Sequence, residues 1–73
     1  MSELSERIDR LATEDLFLLY EIERIAIRSD HKAHKFYAKP AGGSEYEIDQ
    51  STKLVTNALM GGDEITAAEY YRH

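Results

Sequence analysis

The sequence predicts an α+β fold, mainly helical, in a single small domain spanning residues 1–73. Three observations predict it. Apolar residues recur at a 3.5-residue spacing from Leu4 to Ile25, the spacing of a helix packed along one seam. The period changes to two around Tyr46, Glu47 and Ile48, as in a strand with one buried face. Two glycine pairs, Gly42-Gly43 and Gly61-Gly62, then divide the second half into short elements.

The first element expected is one long amphipathic helix over residues 2–29. Leu4, Ile8, Leu11, Asp15, Leu18, Ile22, Ile25 and Ser29 alternate by four and three residues, and six of these eight positions are aliphatic. Ala12, Leu19 and Ala26 widen the apolar face, so it suits bundle packing better than a narrow two-stranded seam. Ser2 can cap the start, and Glu3–Arg7 and Glu6–Arg10 are i,i+4 pairs in the favourable order. A break at Thr13 is the rival reading, because Thr13 can cap a second helix with Glu14 and Asp15 in its first turn. Asp15 is therefore either a polar seam residue that specifies register or a first-turn acid.

Residues 31–39 read either as a continuation of that helix or as a strand. The strand reading gives a β-hairpin, residues 35–39 against 44–48, turning at Pro40-Ala41-Gly42-Gly43 with lysines facing glutamates. A lone hairpin is marginal, so it must lie on a helix. Ser51 then caps a short helix with Leu54, Val55, Ala58 and Leu59 on one face, ended by Gly61-Gly62. Asp63 or Thr66 can cap a last turn or two running through Tyr71.

A chain of 73 residues without cysteine has neither disulfides nor thiolate zinc sites to support a small core. Self-association is the expected support, through Leu4, Ile8, Leu11, Leu18, Leu19, Ile22 and Ile25. The start carries no secretory pattern, and the longest apolar run, residues 16–20, is far short of the roughly 20 a membrane-spanning helix needs. The expectation is a cytoplasmic protein, away from membranes. The net charge of −5 is unevenly laid out. Residues 1–23 hold seven acids and two bases, residues 24–39 five bases and one acid, and residues 40–73 six acids and two bases.

That basic middle is the second candidate site. If the first helix continues past Ser29, Arg24, Arg28, Lys32 and Lys35 form one stripe, with Lys39 beside it and Phe36 and Tyr37 for stacking. The acidic balance of the whole chain opposes phosphate binding. His31 and His34, with Asp30, are too few for a firm metal site, and no cofactor is expected. No nucleophile motif surrounds any serine or threonine, and neither glycine pair has the spacing of a phosphate loop, so no enzyme is expected. Short, acidic, cysteine-free chains of this kind are common among accessory proteins of bacteria and phages. The function expected is an intracellular accessory or regulatory protein that binds itself and another protein; the alternative is a nucleic-acid-binding regulator using residues 24–39.

Overall fold

Leu16-Phe17-Leu18-Leu19-Tyr20 has no polar face. Five apolar residues in a row can be buried helix or a strand covered on both sides, and periodicity cannot separate the two. The computed structural model, which describes residues 3–73 and their side chains from Ser5 onward, shows the strand. The elements are α1 (Glu3–Arg10), β1 (Leu16–Tyr20), β2 (Ile25–Asp30), β3 (Lys35–Pro40), β4 (Tyr46–Ile48), α2 (Lys53–Gly61), β5 (Asp63–Glu64) and α3 (Ala67–Arg72). The strands form one antiparallel sheet in the order β4-β3-β2-β1-β5.

The long helix and the mainly helical class are therefore wrong. Of the expected helix only α1 exists among the described residues, and the chain leaves it at Arg10, whose carbonyl accepts from the backbone of Thr13 (3.0 Å) and Glu14 (2.9 Å). A strand follows, not the second helix of the rival reading. Two connections misled the periodicity. Residues 21–24 and 31–34 are four-residue turns without glycine or proline, closed by Arg24 and His34 in the left-handed region, at φ 54° and 55°. The Asp30 carboxylate holds the second turn, accepting from the backbone of Lys32 (3.0 Å) and Ala33 (3.2 Å).

Register sorts the side chains into two faces. Leu16, Ser29, Phe36 and Ile48 align across one face, as do Leu18, Ile27, Ala38 and Tyr46. α2 covers this face with Val55 and Ala58, and Leu11, Leu54 and Leu59 pack at its margin. Phe17, Arg28, Tyr37 and Glu47 align on the opposite face, as do Leu19, Ala26 and Lys39, and α3 lies there. The expected interface residues consequently form no common exposed face. Leu18 is core, Leu19 points to the α3 side, and Ile25 and Leu11 pack against the core. Ile8 on α1 is 51% exposed and Ile22, in the first turn, is 83% exposed. The side chain of Leu4, the Ser2 cap and the Glu3–Arg7 pair lie outside the described residues. The helical seam that argued for self-association is absent.

The second half follows local chemistry more closely. β3 and β4 pair around a turn in which Gly43 N–H donates to the Pro40 carbonyl (2.9 Å) and Gly42 takes φ 70°. Residues 31–39 are thus turn and strand, not helix. α2 starts at Thr52 rather than Ser51, with Asp49 accepting from the Ser51 backbone and hydroxyl (2.8 Å each). Gly62 ends α2 by donating to the Ala58 carbonyl; a Cβ there would sit 2.6 Å from that oxygen, so glycine is required. Thr66 opens α3 in a reciprocal capping box with Glu69.

The sheet makes Leu18 and Ile22 unequal, whereas a helical seam would make them equivalent. Leu18→Ala should cost about 2–5 kcal/mol through lost burial and the cavity left behind. Ile22→Ala should change stability by no more than about 0.5 kcal/mol. Urea unfolding of the two variants measures both values, and equal losses would contradict the register.

Candidate partner-binding face

α3 is only six residues long, too short to persist without tertiary support. Its support is Tyr70, fully buried against the sheet. The Tyr70 ring lies 5.4 Å from Phe17 and 5.0 Å from Tyr71, centroid to centroid. Its hydroxyl donates to Glu45 Oε1 at 2.7 Å. Arg28, from the middle of β2, donates to the same carboxylate through Nε (2.7 Å) and Nη2 (3.2 Å). The guanidinium also lies 4.2 Å from the Tyr37 ring centroid and 3.8 Å from Asp30. One arginine thus joins β2, β3, the segment before β4 and, through Glu45, α3.

The electrostatics follow from that geometry. The Arg28 hydrogen bond holds the Glu45 carboxyl below its ordinary range, against the opposing effect of burial. Burial, then the bond to anionic Glu45, pushes the Tyr70 phenol well above its ordinary value. The phenol is therefore a hydrogen-bond donor at any physiological pH. Tyr71, 58% exposed, presents an aromatic edge beside this network. The network is internal: it fixes α3 and leaves Tyr71 as the aromatic group of this cluster that a partner can reach.

The expected basic stripe is dispersed. Arg28 is committed to Glu45, and Lys35 lies 3.4 Å from Glu47. Arg24 and Lys32 occupy turns at opposite ends of β2, a strand of six residues and so about 20 Å long. Lys39 shares the α3 face of the sheet with Arg28 but lies in the next row toward the Arg24 end. His31 and His34 do not converge. His31 Nδ1 contacts Asp15 Oδ1 at 2.6 Å, and its backbone N–H donates to the same oxygen at 3.0 Å. Asp15 therefore ties the start of β1 to the second turn, a role neither sequence reading assigned, and these bonds lower its pKa. Among the described residues no three His, Asp or Glu side chains gather as a metal site would require. None of the described helices is long and apolar enough to cross a membrane. Sequence reasoning missed Glu45 and Tyr70; the available signal was the aromatic pair Tyr70-Tyr71 following a capping threonine.

Comparison with known proteins places this architecture. A family model described as Tis1 immunity protein matches residues 5–73. A chain in the crystal structure of the complex between the Type VI effector Tas1 and its immunity protein is similar, with a TM-score of 0.79 and 28% sequence identity over 84% of this chain and 83% of that chain. Nothing matches among the curated proteins.

The network has a pH signature. The folded pKa of Glu45 is depressed, so its contribution is fully present above the usual carboxylate value of 4.5 and is lost as pH falls through the lower folded value. Glu45→Gln should cost about 1–2 kcal/mol at pH 7. It should also flatten the acid limb of stability between about pH 5 and 2 relative to wild type. Parallel acid limbs in thermal melts would show that Glu45 is not ionically coupled in the folded state.

Proposed function

This chain belongs to the Tis1 immunity protein family, and from that premise we propose that it binds a Type VI effector and holds it inactive in the cytoplasm of the bacterium that makes both. The observation that carries the reading is the family match across residues 5–73, which takes in the whole sheet, α2 and α3. The structural likeness to a chain from an effector–immunity complex supports it.

The physical design suits a binder that acts by occupancy and catalyses nothing. The sheet is braced on both faces and α3 is fixed by the Arg28–Glu45–Tyr70 network, so little chain remains to be ordered on association. A net charge of −5 favours encounter with a basic partner surface. The nucleic-acid reading has weaker support, since Arg28 and Lys35 already hold carboxylates and the five bases form no stripe.

The test is direct. The purified chain is titrated with the Tas1-related effector of its own source bacterium, and the pair is co-produced in cells. The expected result is a complex with Kd on the order of 10 nM or tighter, with recovered growth of effector-producing cells. The association rate should fall as salt rises. No complex at micromolar concentrations, and no recovery, would overturn the proposal.

A further inference from the structure

We propose that the end of the sheet carrying the β1–β2 turn is what seats on the effector, with Ile22 as apolar anchor and Glu21, Glu23 and Asp63 facing basic groups of the effector. The proposal rests on the effector reading above and adds the surface and the chemistry of its occupant.

Ile22 is 83% exposed, more than Met60 (65%), Tyr71 (58%), Ile8 (51%) or Tyr46 (50%). A single exposed isoleucine is ordinary on a protein surface. Its setting is not. Directly beside the turn lies an open concavity of about 350 Å³, lined by Leu19, Glu21, Arg24, Ala41 and His73. Leu19 and Ala41 give it an apolar floor, and the other three give it a polar rim. A projecting apolar side chain next to an apolar hollow is a shape that interlocks with a partner.

The turn is also held in place. Arg24 N–H donates to the Glu21 carbonyl at 3.1 Å. Arg24 takes the left-handed conformation without being glycine, a costly choice that persists only when tertiary contacts enforce it. Here the His73 ring donates to the Arg24 carbonyl at 3.0 Å, and the His73 carbonyl accepts from Gly42 N–H at 2.6 Å. The β1–β2 turn, the β3–β4 turn and the end of α3 are thereby locked into one rim. Docking onto it loses little conformational entropy.

Charge identifies the occupant. Most described acidic side chains are already engaged. Glu14 and Glu64 pair with Arg10, Glu45 with Arg28, Glu47 with Lys35 and Asp15 with His31. Asp30, Asp49 and Glu69 accept from backbone N–H groups. Five have no such partner among the described residues: Glu6 and Asp9 on α1, and at this end Glu21, Glu23 and Asp63, the last opposite Leu19 in the sheet. Three carboxylates against Arg24 and Lys39, the latter in the same row as Asp63 and Leu19, leave this end with a small acidic excess, concentrated at the turn where Glu21 and Glu23 flank Ile22. The matching partner surface is basic, with an apolar side chain to fill the hollow and a pocket to take Ile22.

Binding of the Tas1-related effector is compared for wild type, Ile22→Asp, the charge reversal Glu21→Lys/Glu23→Lys, and Lys32→Glu in the turn at the opposite end. All four substitutions are at exposed positions, and melting curves verify that each variant folds. Ile22→Asp should raise Kd by about 30-fold or more, as loss of a central anchor does. The charge reversal should slow association by about 10-fold and flatten its salt dependence. Lys32→Glu should stay within about twofold. If wild type binds and the first two variants match it within twofold, the docking surface is wrong and the effector reading stands. If wild type does not bind, both fall. Sedimentation showing that Ile22→Asp only dissociates a homodimer, with effector binding unchanged, would assign this end to self-association and overturn the proposal.

Discussion

Strand β1 has apolar side chains on both faces, and the rest of the structure answers that constraint. Leu16 and Leu18, each 2% exposed, need cover on one side, and Phe17 and Leu19 need it on the other. A two-layer sheet-and-helix arrangement would leave one set in water. The chain supplies α2 and, at its margin, Leu11 for the first side and uses its last helix for the second. Placing β1 second from the edge, between β2 and the two-residue β5, also leaves no long hydrophobic edge available for pairing with another sheet.

Covering the second face with a six-residue helix creates its own difficulty, and Arg28 resolves it. A purely apolar contact would leave α3 free to slide over the sheet. The Tyr70 hydroxyl, buried between the layers, has to find an acceptor, and Glu45 is the acceptor that Arg28 holds in place. Because every polar group in that layer is satisfied, the network sets one position for α3. The position of α3 in turn places His73 against Arg24 and Gly42, which fixes the turn geometry at that end of the sheet. Packing inside the molecule and the shape of its acidic end are linked through this chain of contacts.

The charges divide in the same way. Arg10 and Arg28 each draw in two carboxylates and knit together segments far apart in sequence. The acids at the β1–β2 end stay solvated, although its turn carries two of them in four residues. A small immunity protein has to fold firmly on limited core while keeping a partner-facing surface that does not collapse onto itself. Pairing acids internally at one set of positions and leaving them unpaired at another meets both demands.

The sequence by itself determined the punctuation of the second half: the Pro40-Ala41-Gly42-Gly43 turn, the strand around Tyr46–Ile48 and the α2 stop at the Gly61-Gly62 pair; it offered the pairing across that turn and the Thr66 cap of α3 each as one of two readings, and the structure chose them. It also pointed to an acidic protein that acts through another protein. These signals are local, carried by backbone conformations that only certain residues adopt. The first half was decided by tertiary structure. Residues 16–27 carry apolar side chains at spacings that fit a helix and a doubly covered strand equally well. Their turns rest on left-handed Arg24 and His34, which no local rule announces. What chose the sheet was the availability of cover on both faces, and the cover on one of them comes from α3 and its Tyr70, forty residues downstream of the end of β2 until folding brings them together. The same holds for the site: Arg28 read as part of a basic stripe because its true partner, Glu45, becomes its neighbour only once β3 has turned the chain back.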